Sequence, residues 1–131
     1  MFKKSKQTQL APIDQQEIST LIGEGFVLTG DVSGPSVIRI DGKVMGNVKV
    51  DGGIILGEKG SIVGDIDTTS AIVYGSIRGN VKSKQLEIKR TGEISGDIKT
   101  ETLEIEFGAQ YNGKLEMKQL IKTEEKAVAE V

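Results

Sequence analysis

Apolar and polar positions along this chain alternate with a period of two, and the alternation itself recurs at a longer, nearly constant step. The segments GKVMGNV (42–48), GSIVGDI (60–66), GSIRGNV (75–81) and GEISGDI (92–98) share one order: Gly, any, apolar, any, Gly, polar, apolar. LTGDV (28–32) and AQYNGKL (109–115) are weaker copies at either end. The second glycines, Gly30, Gly46, Gly64, Gly79, Gly96 and Gly113, are 16, 18, 15, 17 and 17 residues apart. An apolar-x-apolar pair follows each of the first five copies: Ile38/Ile40, Ile54/Leu56, Ala71/Val73, Leu86/Ile88 and Leu103/Ile105. Period two is the strand period, and no 3.6-residue period runs through 20–117. Each repeat is too short for a crossover helix, so the chain must coil and lay each strand over its counterpart one repeat earlier.

Stacked in this way, like falls on like. One inward column reads Leu28, Val44, Ile62, Ile77, Ile94, Tyr111, and the next reads Val32, Val48, Ile66, Val81, Ile98, Leu115. A third runs Gly34, Val50, Thr68, Ser83, Thr100, Met117, and the apolar pairs supply two more. Three short strands per turn, joined at corners, predict a triangular parallel β-helix of six turns. From the last residue of a pair to the next column is +4 (Ile40 to Val44, Val73 to Ile77) or +6 (Leu56 to Ile62, Ile88 to Ile94, Ile105 to Tyr111). A change of two keeps side chains on the same face, so the insertions sit at one corner and spare the core. A left-handed hexapeptide coil needs an apolar residue every six positions and turns of constant length, which this chain lacks. Parallel crossovers are right-handed by strong preference, which predicts a right-handed coil.

Residues 20–24 (TLIGE) resemble residues 54–58 (IILGE), so the coil is expected to begin near residue 20 and to run to 117. Residues 1–19 and 118–131 are polar and lack a core face, and both are expected to be disordered tails.

Composition narrows the chemistry. The aromatics are three Phe and two Tyr with no Trp, and Val, Ile and Gly dominate the repeats, which suits thin regular strands. No Cys and no His are present, so there is no thiol nucleophile, thiolate site or imidazole base. The net charge is −2, and residues 25–117 hold eleven basic and thirteen acidic groups, with no excess to neutralise nucleic-acid phosphates. No apolar run reaches membrane-spanning length and the first twenty residues lack a signal-peptide core, which gives a cytoplasmic expectation.

Three candidate chemistries have plainer readings. After each second glycine stands Asp31, Asn47, Asp65, Asn80, Asp97 or Lys114, a row that invites a calcium reading. Alternation of Asp with Asn keeps the carboxylates two turns apart, so the row reads instead as corners where Asx side chains bond their own main chain. The glycines suggest phosphate binding, but no GxxxxGK[ST] occurs and glycine suits each β corner. Enzymes built on β-helices use a histidine base or a cleft made by long loops; here there is no histidine and the loops span two to five residues. No catalytic residue, cofactor, metal or small-molecule substrate is expected.

Met1, Phe2, Lys3, Lys4 and Lys6 form an apolar pair beside three lysines. Such a run is commonly a solvated tail. It also suits an anionic membrane surface, where each lysine contributes about 1 kcal/mol. That is weak for one chain and substantial for many chains on one polymer.

With its six GxIxGDI-like turns and LEI elements, short polar tails and no His or Cys, the chain resembles the bactofilins, polymer-forming bacterial cytoskeletal proteins. The resemblance covers residues 20–117. It implies a right-handed β-helix that polymerises end to end without nucleotide into non-polar filaments, and an N-terminal membrane-targeting peptide such as MFKKSK. It further implies a scaffold at the inner face of the cytoplasmic membrane, serving cell shape, cell-wall modification or polarity and recruiting cell-wall enzymes or other proteins. The residues argue independently toward assembly, since a solenoid open at both ends is normally capped and no cap is evident here. The bulkiest side chains of the terminal turns, Phe26 and Leu28 at one end and Phe107 and Tyr111 at the other, are the expected polymer interface. A plainer role is to plug the ends of the core. The competing function is a non-polymerising platform whose flat faces bind a protein or polysaccharide.

Overall fold

The computed structural model describes residues 17–117, and every regular element among them is a strand. The chain makes six turns. The first holds β1 (Ile18–Ile22), β2 (Val27–Thr29) and β3 (Val32–Gly34). The second holds β4 (Val37–Ile40), β5 (Lys43–Met45) and β6 (Val48–Val50), and the third β7 (Gly53–Leu56), β8 (Ser61–Val63) and β9 (Ile66–Thr68). Then come β10 (Ser70–Val73), β11 (Ser76–Arg78), β12 (Val81–Ile88), β13 (Glu93–Ser95), β14 (Ile98–Ile105), β15 (Gln110–Asn112) and β16 (Leu115–Met117). The eight-residue strands β12 and β14 pass from the third face of one turn onto the first face of the next without a break. The triangle is therefore sharp at that corner in the early turns and smoothed in the late ones.

All pairing is parallel, each strand lying on the one a turn before. The first face stacks β1, β4, β7, β10 and the second halves of β12 and β14. The second face stacks β2, β5, β8, β11, β13 and β15. The third stacks β3, β6, β9, the first halves of β12 and β14, and β16.

The columns follow the expected register. Leu28 pairs with Val44, Val44 with Ile62, Ile62 with Ile77, Ile77 with Ile94 and Ile94 with Tyr111. Val32, Val48, Ile66, Val81, Ile98 and Leu115 stack in the same way. Thr20 stacks on Ile38 and Ile22 on Ile40, as the match between 20–24 and 54–58 requires, and β1 starts slightly earlier, at Ile18. Seventeen buried apolar residues form one axial core, and each Ile or Leu taken from water contributes about 1.5–3 kcal/mol. In the small-residue column the buried hydroxyls find partners inside: Ser83 Oγ lies 3.2 Å from Thr100 Oγ1, which donates to the Thr102 carbonyl at 3.0 Å. That satisfies polar atoms whose burial would otherwise be costly.

The corner insertions fall where the spacing places them. Gly57–Gly60 and Lys89–Gly92 each close with an N–H of the fourth residue donating to the carbonyl of the first, at 2.8 Å, and Glu106–Ala109 does so at 3.1 Å. Asp41–Gly42 and Tyr74–Gly75 are the short form. The other glycine column is set by contact as well as by backbone angle. A methyl group on Gly46, Gly64, Gly79, Gly96 or Gly113 would sit 1.9–2.1 Å from the carbonyl oxygen of the glycine one turn earlier. Of the expected tails, 1–19 and 118–131, residues 18 and 19 belong to β1 and pair on the second turn, which corrects the boundary; residues 1–16, the Met1–Lys6 peptide included, and 118–131 lie outside the described residues.

Replacing Ile62 by Asp is expected to cost about 4 kcal/mol or more, since an unpaired carboxylate would enter the core. Lys49, exposed on the third face, is expected to tolerate alanine within about 0.5 kcal/mol. Thermal unfolding followed by circular dichroism measures both, and equal effects would contradict the inward and outward assignment.

Candidate functional site: the two open ends

A coil of stacked strands is finished along its length and unfinished at its ends. Among the described residues, β1, β2 and β3 each have a strand on one side only, as do the second half of β14, β15 and β16. An edge strand leaves one row of backbone donors and acceptors without strand partners. The core shows the same incompleteness: Ile22, Leu28 and Val32 at one end and Leu103, Ile105, Tyr111 and Leu115 at the other are only partly buried against it.

The four expected interface residues divide into two kinds. Leu28 and Tyr111 occupy the core column at its two ends and do plug it, with the Tyr111 hydroxyl donating to the Lys114 carbonyl. Phe26 and Phe107 plug nothing. Both lie on the corner between the first and second faces, at opposite ends of the coil, with 71% and 96% of their surface in water. Phe26 stands in the column where Gly42 and Gly60 follow, and its carbonyl accepts the Lys43 N–H at 2.8 Å. It can hold a side chain because, among the described residues, no earlier turn lies against it. Phe107 sits beside Gly108, whose φ of 101° turns the corner. Leu21 and Val27, also exposed, enlarge the apolar surface of the first turn, although neither is among the bulkiest side chains there.

The Asx row turns out to be a ladder between turns. Asp31 Oδ1 accepts the Asn47 N–H, Asn47 Oδ1 the Asp65 N–H, Asp65 Oδ1 the Asn80 N–H and Asn80 Oδ1 the Asp97 N–H, each at 3.0 Å. Asp97 Oδ1 accepts the Lys114 N–H at 3.3 Å, and Lys114 has no acceptor with which to continue. The expectation that each Asx bonds its own main chain is therefore corrected: it bonds the main chain of the following turn. Periodicity of the sequence places the residues in a column but does not say which neighbour an oxygen meets. Those oxygens are already engaged, and among the described residues no group of three acidic side chains could hold a metal ion.

Charge elsewhere is locally paired. Arg39 Nε meets Asp41 at 3.0 Å and Lys89 Nζ meets Glu87 at 3.0 Å. Burial works to lower the Lys89 pKa, but the hydrogen bond to Glu87 and the carboxylates of Glu87, Glu106 and Glu104 outweigh it and raise it above the ordinary lysine value.

Comparison with known proteins follows the same lines. The family model of the bactofilins, described as polymer-forming cytoskeletal, matches residues 20–116. Bactofilin BacO of Myxococcus xanthus is 31% identical over 100 residues, covering 76% of this chain and 79% of that protein. Bactofilin BacP of the same organism is 26% identical over 100 residues, a match that spans 42% of its length. The fold is similar to that of a Thermus thermophilus bactofilin solved in double helical filaments, with a TM-score of 0.73, 27% identity, and coverage of 75% of this chain and 98% of that one. It is also similar to the cytoskeletal bactofilin BacA solved by solid-state NMR, with a TM-score of 0.69, 32% identity, and coverage of 76% and 95%.

The ladder makes a test of its own. Asn80→Ala removes one acceptor and is expected to cost about 1 kcal/mol at any salt concentration. Asn80→Asp keeps the acceptor but stacks carboxylates in three successive turns about 4.8 Å apart, so its loss should shrink as salt rises. Unfolding of both variants at low and high salt checks this; identical salt responses would contradict the ladder.

Proposed function

The chain belongs to the bactofilin family of polymer-forming cytoskeletal proteins, and on that premise we propose that its own joints are the two open ends of the β-helix, stacked end to end. The observation that carries the reading is the exposed Phe107 beside a rung of core that no described strand covers. Burying on the order of 400 Å² of apolar surface at a joint contributes about 10 kcal/mol gross. Association costs about 4–15 kcal/mol. A joint is therefore marginal by area, and a few residues decide it: Phe26 and Leu28 at one end, Phe107 and Tyr111 at the other.

The family is structural and not enzymatic. In this reading the polymer needs no nucleotide or metal, lies in the cytoplasm at the inner face of the membrane, and is held there by Met1, Phe2, Lys3, Lys4 and Lys6. It is a scaffold for cell shape, cell-wall modification or polarity, with recruited proteins such as cell-wall enzymes as its further partners. Supporting this are the lysine run, the engaged Asx oxygens and the absence of a phosphate loop. Filaments join like ends and lack polarity. The absence of polarity is what the family resemblance implies.

Phe107→Arg is expected to leave the β-helix folded by circular dichroism and to abolish polymers in analytical ultracentrifugation, since a buried arginine there would lack a partner. Long filaments from the folded variant would place the joint elsewhere. Changing Lys3, Lys4 and Lys6 to Glu should release polymers from anionic vesicles while filaments persist without ATP, GTP or calcium. Unchanged co-sedimentation would remove the peptide from the account.

A further inference from the structure

The first face is buried on its outside as well as its inside. In β7 and β10 all four residues are buried, where strands on the other two faces alternate buried and open positions. Val37, Ile55 and Ile72 make a second apolar cluster, separate from the axial core. Ile55 and Ile72 are 4% and 5% exposed, whereas the outward Met45 and Val63 of the second face are 43% and 38% exposed. All the described strands belong to the coil, so none lies over this surface. Its flanking charges turn away along their own strands, Arg39 to Asp41 and Glu87 to Lys89. Gly53 and Ser70, stacked beyond Val37, give the cluster a floor of small residues.

We infer that residues 10–16 of the same chain dock across this outer surface, with Leu10 and Ile13 seated against Val37, Ile55 and Ile72. The described chain begins one residue before Ile18, and Ile18 pairs with Val37, so the upstream segment starts one strand spacing from the cluster. An irregularity between Ile18 and Thr20 shifts the register there, the kind of bulge that redirects a strand. The exposed Ile18 and Leu21 continue the apolar strip toward the chain's start. From the first turn to Ile72 is three strand spacings, about 14 Å, and five extended residues from Ile18 back to Ile13 span about 16 Å. Leu10, Ala11, Pro12 and Ile13 are the apolar group of that tail nearest the coil. The C-terminal tail leaves from the opposite end, and Glu87 and Glu104 stand between it and the cluster.

Docking would bring residues 1–9 out on the first face of every subunit. That consequence for membrane attachment rests on the reading of residues 1–6 above; the docking itself does not.

The chain has no cysteine, so Ser70→Cys supplies a single thiol within the surface and Val44→Cys a control thiol in the core. Maleimide labelling of full-length Ser70→Cys should be slow and should accelerate at least tenfold when Leu10→Asp and Ile13→Asp are added. Val44→Cys should stay protected in both backgrounds. Fast labelling of Ser70→Cys in the otherwise unchanged chain would overturn the inference, as would a rate indifferent to the tail substitutions. A parallel rise at Val44→Cys would mean that the whole coil had opened, and would equally overturn it. Protection lost on dilution would point to a second copy, and protection lost with Leu120→Asp and Ile121→Asp to the other tail; either result replaces the proposed occupant.

Discussion

Every turn of this protein can lie on the previous one only because a hydrogen atom takes the place of a side chain at one corner. Gly46, Gly64, Gly79, Gly96 and Gly113 each bring their α-carbon against the carbonyl of the glycine a turn earlier, at a separation no Cβ could share. That approach fixes the turns in phase. With phase fixed, Val44, Ile62, Ile77 and Ile94 fall into one buried column, and the residue after each glycine falls within hydrogen-bonding distance of its successor. Core and ladder both follow from the same contact. Gly30, at the start, has nothing within 4 Å of the position a Cβ would take.

That open position illustrates how the ends differ from the middle. A mid-coil turn has its backbone, its core column and its Asx residue engaged by turns on both sides, and a terminal turn, among the described residues, by one. The ends therefore hold the interactions that the fold generates and cannot itself satisfy, and a second coil end is a surface of the matching kind. The exposed phenylalanines stand at these ends on one corner, Phe26 at a position that glycine fills in the turns that follow it.

Much of this was legible in the sequence because a solenoid turns linear order directly into spatial order. The repeat gave the five columns, and the two-residue difference in spacing located the insertions at the corner closed by Gly60 and Gly92. What escaped was whatever depends on neighbours in three dimensions. The destination of the Asx oxygens is one case, since Asn47 could as well have closed its own corner. The separate fates of Phe107 and Tyr111 are another: four residues apart, one stands in water and the other completes a core column. The buried outer surface at Ile55 and Ile72 is a third. Alternation marks those positions as outward, and only the structure shows that they are buried.

The central claim is that the stacking which builds one subunit continues from subunit to subunit. Fibre diffraction from aligned filaments of the full chain measures this directly. Continued stacking places a strong reflection at about 4.8 Å along the filament axis, with a subunit rise near six such spacings. Filaments whose 4.8 Å reflection lies across the axis would show side-by-side assembly and contradict the account.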